Sequence, residues 1–299
     1  MALEDVARPI PGSDEVLVRV EGAGVGPWDS LVRSGQSGLG QSLPLTLGSD
    51  LSGTVVEVGP RVSAFVSGDL VYGLTNAEFT GGYAQFAVAK AAMLALKPLR
   101  STFIEAAAVP VIAVTAWQML FDLAKVVPDQ KVLVTGAAGS VGSFALQFAR
   151  WHRARAIAVI SSDDDERVRS LGAEEVIDLR HRSLDSLRER IDVVIDTAGG
   201  EKQREAAQAL KPGGVLVSSV SPPDQDLMKQ LRVRGQFFIV DVTTSHLDRI
   251  ARMLDEGQIA AHVGTVLALD EARIAHEMMA GERPYSRGKI VLNVNRKIP

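Results

Sequence analysis

One segment limits what this chain can fold into more than any other: Val132-Leu-Val-Thr-Gly-Ala-Ala-Gly-Ser-Val-Gly142. A short apolar run, patterned as a buried strand, enters Gly136, Gly139 and Gly142, and a helix-period segment opens at Ser140. Glycine at such a turn lets the backbone approach a bound group and lets the helix pack close on its strand. The helix start adds N–H groups that no helical carbonyl reaches, at the positive end of the helix dipole. Together they form a pyrophosphate cradle, here built from Gly136, Ala137, Gly139, Ser140, Val141 and Gly142. The spacing is G-x-x-G-x-x-G, less specific than G-x-G-x-x-G, and a tight strand–helix turn without a ligand is the plain alternative. Context favours dinucleotide binding. The next strand, Ala156–Ile160, ends about 20 residues further on, where a ribose is read. A second glycine string, Gly22-Ala-Gly-Val-Gly26, also follows a strand. Pro27 and the short segment before Gly35 leave it no long helix to cap, so it reads as a bend in a barrel.

The glycine segment lies in the second of two sequence textures. Residues 1 to 100 carry short β-branched runs broken by Gly and Pro: Glu15–Val20, Gly53–Val58, Asp69–Tyr72 and Tyr83–Val88. Several alternate with period two, which predicts a small β-barrel-like domain of antiparallel strands. From about residue 130, near-continuous apolar strands alternate with helices. The strands are Lys131–Thr135, Ala156–Ile160, Glu175–Ile177, Ile191–Asp196, Val215–Val220 and Phe237–Val240, with helices at Ser140–Trp151 and Glu166–Leu171 among them. This predicts a doubly wound parallel sheet buried on both faces. After Gly264 the first texture returns, with strands Thr265–Leu269 and Lys289–Val294 around helix Glu271–Ala280. On its residues alone this tail fits either domain.

Composition closes off other classes. The 299 residues include no cysteine, which excludes disulfides, thiolate zinc sites, iron–sulfur clusters and a cysteine nucleophile. Lys and Arg total 32 against 36 Asp and Glu, so no basic excess favours nucleic acid or anionic lipid. The most apolar stretch, Ala106–Phe121, contains Pro110, Thr115 and Gln118. It falls short of the roughly 20 apolar residues of a membrane span and reads as a buried helix. The opening MALEDVARP is acidic and has no apolar core of a secretory signal, so a soluble cytoplasmic protein is expected.

The second strand of the parallel sheet discriminates between nicotinamide cofactors. An acidic residue at its end favours NAD, and a basic one nearby favours NADP. Here Ser161-Ser162 tolerate a 2′-phosphate, Asp163-Asp-Asp165 oppose it, and Arg167 and Arg180 are candidate phosphate partners. Both cofactors stay open on these residues. A Tyr-x-x-x-Lys string, Tyr285 to Lys289, matches the catalytic pair of short-chain dehydrogenases. That chemistry needs one helix face, which Pro284 and Gly288 oppose. Lys289 therefore reads as the start of the last strand.

The order of motifs resembles a known family. Ala106-Ala-Ala-Val-Pro-Val-Ile-Ala-Val-Thr-Ala-Trp117, the glycine segment, Leu171-Gly-Ala-Glu-Glu-Val-Ile-Asp178, Leu210-Lys-Pro-Gly-Gly214 and Arg287-Gly-Lys-Ile-Val-Leu292 resemble the medium-chain dehydrogenase/reductase superfamily, most closely its zinc-free quinone oxidoreductase branch. The resemblance covers nearly the whole chain. It implies an α/β protein with a split GroES-like β-barrel domain, 1–100 and 265–299, around a Rossmann doubly wound parallel-sheet domain at 101–264, with the active site in the cleft. It implies that Thr115 and Gly136–Gly142 hold the nicotinamide side and pyrophosphate. It further places Thr197, Ala198, Gly199, Ser218 and Ser219 on the adenosine and ribose side, Phe238 and Val240 near the carboxamide, and Lys289 near the phosphates. A homodimer through edge strands of the Rossmann sheet is implied too.

Zinc members of that superfamily carry a cysteine where Gly26 stands and a histidine where Ser49 stands, and His152, His181, His246, His262 and His276 show no metal spacing. No zinc is therefore expected. Without a Lewis acid the substrate must be electron-poor, a quinone or an α,β-unsaturated carbonyl. Pocket candidates are Gly26, Trp28, Asp50 and Thr75; no catalytic side chain is assigned. Three departures stand out. The branch often has Asn at position 26, so Trp28 is expected to wall the pocket instead. Its NADP readers are replaced by the acidic run and Leu179, with Arg180 as a stand-in. Its first barrel strand has no counterpart ahead of Leu3. The expected function is NADPH-dependent quinone or enone reduction, with NADH as the other cofactor and a small molecule as the only partner besides a second copy. The alternative is a nucleotide-binding sensor or partner module with little catalysis.

Overall fold

The computed structural model describes residues 1–295. It forms two compact units, Met1–Val111 with Asp241–Pro299, and Ile112–Val240. The last four positions of the expected tail segment, 296–299, lie outside the described residues.

The first unit is built on one long strand, Glu15–Val25. Its two halves take different partners. Glu15–Arg19 pairs antiparallel with Phe86–Lys90, and Gly22–Val25 pairs antiparallel with Ile290–Asn293 of the final strand. Asp50–Val58 runs along its other edge, followed outward by Leu70–Leu74 and Leu94–Leu96. Strand Val263–Ala268 closes the far side, parallel to Lys289–Asn293. The tail thus joins the N-terminal strands, the choice its own residues left open. No strand forms before Glu15.

The glycines of the upstream string have a packing reason, and the ladder to Asp50–Val58 shifts register between Val20 and Gly22, where the string begins. A Cβ on Gly24 would lie 2.5 Å from the Ala107 carbonyl oxygen, and one on Gly22 would lie 3.1 Å from the Ala107 Cβ. Bare backbone here lets helix Phe103–Ala107 lie directly on the sheet. That helix is closed by a reciprocal cap: Glu105 N–H donates to Thr102 Oγ1, and Thr102 N–H donates to Glu105 Oε2. Helix Thr244–Asp255 also belongs to this unit. The buried Tyr72 hydroxyl donates to the Leu247 carbonyl at 2.7 Å, and Thr244 Oγ1 donates to the Leu94 carbonyl at 2.7 Å. These contacts put the unit boundaries after Val111 and Val240, where the sequence placed them after 100 and 264.

The second unit is a six-stranded parallel sheet ordered Arg234–Phe237, Leu210–Ser218, Ile191–Asp196, Lys131–Thr135, Arg155–Ile160, Ala173–Asp178. Leu133, Ile157, Ile177, Ile191, Val194 and Leu216 form its core. The chain runs one way from Lys131–Thr135 for two strands, then crosses back to its other side, so the switch point lies at the carboxyl end of that strand. Two expectations are corrected. The single helix over 106–121 is two helices, Phe103–Ala107 and Pro110–Trp117, then a π-helical Gln118–Leu123. Pro110 has no N–H to continue the first helix and starts the second instead. The edge strand is Arg234–Phe237, not Phe237–Val240. Its ladder ends because its partner turns away after Ser218, whose Oγ accepts from Val220 N–H at 3.1 Å. Among the described residues no helix is long and apolar enough to cross a membrane.

Candidate active site

In the second unit, strand Lys131–Thr135 delivers the glycine turn to the switch point, and helix Ser140–Trp151 leaves it. Gly136 has φ +61°, and a Cβ there would lie 2.5 Å from Thr197 Oγ1. Position 136 therefore needs glycine on two counts. A Cβ on Gly142 would lie 2.4 Å from the Gly136 carbonyl, so this glycine seats the helix on the turn. Gly139 differs: its Cβ direction meets only the Gly136 carbonyl oxygen, at 3.1 Å. Gly139 caps the helix with no side-chain acceptor, so the first N–H groups, at Ser140 and Val141, receive no side-chain cap. An uncapped helix start on a glycine turn fits an anionic group such as a pyrophosphate.

Around this loop the strand ends are tied together by Asp196, which the sequence reading missed. It is fully buried and accepts from Thr135 Oγ1, Ser218 Oγ, Gln203 Nε2 and Gly199 N–H at 2.7–3.1 Å. The only sequence signal was a carboxylate ending the apolar strand Ile191–Asp196. Ser218 is therefore committed inward, and Thr197 Oγ1 donates to the Thr135 carbonyl at 2.7 Å. Ala198 N–H also reaches Asp196, and Ser219 N–H bonds its carbonyl. Phe238 N–H bonds the Ser218 carbonyl, Val240 is half-buried, and Thr115 is buried within its helix.

The second strand end is more basic in space than in sequence. Lys202 Nζ donates to Ser161 Oγ at 3.1 Å. Arg167 Nη1 donates to the Ala138 carbonyl of the glycine turn at 3.1 Å. Lys202 was not anticipated, because only the sheet order brings its helix, Gly200–Ala207, beside Ser161. Ser162 Oγ is bonded to Asp164. Arg180 binds Asp163 at 2.7 Å and Asp178 at 2.6 Å. Its guanidinium holds the Asp178 carboxyl down at about 2 and lowers Asp163 as well.

In the first unit a second cluster gathers around Gly26. Lys289 begins the last strand, not a helix, and ion-pairs with Asp50 at 2.9 Å. The two side chains are 2% and 0% exposed. Burial pushes the Asp50 carboxyl up, against the pull of the Lys289 ammonium, and Asp50 also accepts Val111 N–H at 2.9 Å. The Lys289 ammonium lies 4.2 Å from the Trp28 ring centroid. Trp28 Nε1 donates to Ser49 Oγ at 3.1 Å. Thr75 N–H bonds the Ser49 carbonyl, and its buried hydroxyl has no partner among the described residues.

Asp29 and Tyr83 carry no sequence signal, yet they brace this cluster. Asp29 Oδ2 accepts Gly26 N–H at 2.8 Å and the Tyr83 hydroxyl at 2.9 Å, while its Oδ1 has no partner among the described residues. Burial pushes the Asp29 carboxyl up to about 7, with the Gly26 N–H and Lys289 pulling the other way. Tyr83 meets His276 edge-on, and burial lowers His276 to about 4. His276 Nδ1 is 3.2 Å from Ser30 Oγ.

These residues do not fit a zinc ion. Position 26 offers no side chain, Ser49 is engaged by an indole, and no three His, Cys, Asp or Glu side chains group for a metal among the described residues. Comparison with known proteins extends the picture. Residues 12–99 match the family model of the alcohol dehydrogenase GroES-like domain, and residues 171–292 match that of zinc-binding dehydrogenases. The chain is 32% identical over 317 residues to a probable mitochondrial zinc-binding oxidoreductase of Arthroderma benhamiae, covering 98% of this chain and 93% of that one. It is 30% identical over 331 residues to the mitochondrial NAD(P)H oxidoreductase RTN4IP1 of Mus musculus, covering 94% and 82%. The solved quinone oxidoreductase of Coxiella burnetii superposes with a TM-score of 0.90 at 27% identity, covering 98% of this chain and 94% of that one.

Proposed function

Since the chain belongs to the medium-chain dehydrogenase/reductase superfamily of oxidoreductases, in its quinone oxidoreductase-like branch, we propose that it transfers hydride from NADPH to a quinone or an α,β-unsaturated carbonyl without a metal. The observation that carries this reading is the Trp28 indole, bonded to Ser49 and seated where a side chain at position 26 would project. Alcohol oxidation in this superfamily's zinc members needs a Lewis acid to hold an alkoxide. With no ligand set for one, the acceptor's own electron deficiency must lower the barrier, and quinones and enones have it.

Bound reduced nicotinamide supplies the hydride. The chain supplies position and fixed charge. The turn Gly136–Gly142 offers N–H donors and space for the pyrophosphate. Lys202 brings positive charge to Ser161, Arg167 bonds the turn while pairing with Asp164 at 3.9 Å, and Arg180 neutralises Asp163 and Asp178. This balance supports NADPH over NADH. The reduced acceptor, an enolate or hydroquinone anion, takes its proton from water.

The test is NADPH oxidation with a panel of quinones and enones. Turnover on at least one is expected; cofactor binding without any turnover supports the second reading, a nucleotide-binding sensor, which is favoured by the absence of a polar side chain at Gly26. Lys202→Ala separates the cofactors. It is expected to weaken NADPH binding by about tenfold, the loss of one charge-assisted contact, and to leave NADH binding unchanged. The same reading includes a homodimer formed through the edge strand Arg234–Phe237, beside which Phe237 and Ile239 are 41% and 55% exposed. Light scattering showing only monomer would overturn that part.

A further inference from the structure

The parallel sheet has a second end. Lys131, Arg155 and Ala173 start three neighbouring parallel strands, so they lie at the edge opposite the glycine turn. The two edges are roughly 17 Å apart along the five-residue strand Lys131–Thr135. At the starting edge lies a cavity of about 580 Å³, lined by Arg150, Arg153, Arg155 and Arg169 among others. Arg150 and Arg169 lie in the last turns of helices Ser140–Trp151 and Asp165–Leu171, where a cation offsets the negative end of the dipole. That role does not cover the other two. Arg155 begins a strand, and Arg153 follows the helix cap His152 at φ +60°. Glycine is the usual residue there. The arginine gives up that easier backbone, and its side chain makes no hydrogen bond or ion pair among the described residues. The surroundings are firmly built. A Cβ on Gly172 would lie 2.7 Å from the Arg150 Cβ, so this glycine makes room for the Arg150 stem, whose Nη1 donates to the Ser170 carbonyl at 3.1 Å. Asp129 N–H donates to the Arg153 carbonyl at 2.9 Å, and Arg155 N–H donates to the Gln130 carbonyl at 2.8 Å, which pins the loop carrying Arg153.

We propose that this cleft is a second anion site, separate from the glycine turn, which takes a compact polyanion of the phosphate class, free or on a small sugar. The chain as a whole has a net charge of -4, yet here four guanidiniums meet the carboxylates of Asp129 and Glu174. Glu174 is engaged by Arg155 Nε at 3.0 Å, and Arg169 by Asp165 at 2.7 Å. The Arg153 guanidinium is unspent, and its fork of N–H donors matches the oxygens of a phosphate. The cavity is large enough for a small ligand. Its remaining lining is Ala154, Gly172 and Ala173, with no aromatic ring to stack a base, so the ligand is recognised by charge alone. Asp129 opposes an anion and holds the affinity below what the arginines alone would give. The site is independent of the acceptor chemistry.

The experiment is calorimetric titration of the full chain with inorganic pyrophosphate, at about 0.15 M salt and with NADPH saturating so that the glycine turn is occupied. Pyrophosphate is expected to bind the NADPH-loaded protein. Arg153→Gly should weaken that binding by about tenfold, the loss of one charge-assisted contact, and leave NADPH affinity unchanged. Glycine suits φ +60°, so this variant keeps the fold. Asp129→Asn, at φ +68° where asparagine is tolerated, should tighten pyrophosphate binding. Arg188→Gln removes an exposed arginine outside the cleft and should change nothing. Ribose 5-phosphate and AMP, titrated in the same way, should bind equally. No pyrophosphate binding once NADPH is bound overturns the proposal, and so does binding unchanged by Arg153→Gly. Equal weakening by Arg153→Gly and Arg188→Gln would reduce the effect to net charge and overturn it too. AMP binding tighter than ribose 5-phosphate would overturn the assigned ligand class.

Discussion

Gly26 and Gly139 each cap a helix start, and they do opposite things. Gly139 opens helix Ser140–Trp151 and Gly26 opens helix Pro27–Arg33. At Gly26 the N–H is claimed by the chain's own Asp29, and the space above it is filled by the chain's own Trp28. At Gly139 no side chain caps the helix, and a Cβ would meet the Gly136 carbonyl oxygen alone, at 3.1 Å. The first helix start is closed by its own residues, and the second has no side-chain cap.

Perturbing the closed site should cost stability, and perturbing the open one should cost binding. The largest effect expected is on the closed side. Lys289→Met strands the fully buried Asp50 carboxylate and is expected to destabilise by about 3–5 kcal/mol in chemical denaturation. Pairing it with Asp50→Leu should recover most of that loss; no recovery would mean the two charges act independently. On the open side, Gly139→Val places a branched side chain where a pyrophosphate would lie. It should fold normally and weaken NADPH binding on the order of 100-fold, or about 2.8 kcal/mol. An unchanged affinity by fluorescence titration would move the cofactor away from this turn.

Asp29 gives the comparison a pH signature. Its carboxyl is raised from an ordinary 3.8 to about 7 in the folded chain. Between those values the unfolded chain has lost this proton and the folded chain keeps it, so fewer protons are bound on unfolding. Stability from this group is full below about pH 4 and is lost as pH rises through 7. Asp29→Asn removes the titration. Wild-type stability should fall relative to Asp29→Asn from pH 4 to pH 7, and parallel curves would contradict the raised value. The smallest effect expected lies outside both sites. Thr102→Ala removes the cap of helix Phe103–Ala107 and should cost about 1 kcal/mol without changing cofactor affinity.

The open site was readable in sequence because it is local. Strand, glycines and helix start are contiguous from Val132 to Gly142, and each has a compositional signature. The closed site was readable only in part. Gly26 and Trp28 could be singled out as departures, but their reason could not, because it depends on Ser49 and on Lys289 from the far end of the chain. Asp29 and Tyr83 are ordinary residues until folding puts their oxygens 2.9 Å apart. Lys202 reaches Ser161 only through strand order. The edge strand was misplaced because Phe237–Val240 is the more apolar run, whereas the ladder forms wherever its neighbour offers partners, at Arg234–Phe237. Local pattern reports local structure; pairings across long sequence separations are settled by topology.

On the proposed reading, hydride reaches an electron-poor acceptor without a metal, with the Trp28 indole where a side chain at position 26 would project. It is tested most directly by NADPH oxidation with 1,4-benzoquinone before and after exhaustive chelation, with bound metal measured on the same sample. Turnover that is present and unchanged by chelation is the predicted result. Turnover lost on chelation and restored by zinc would contradict it.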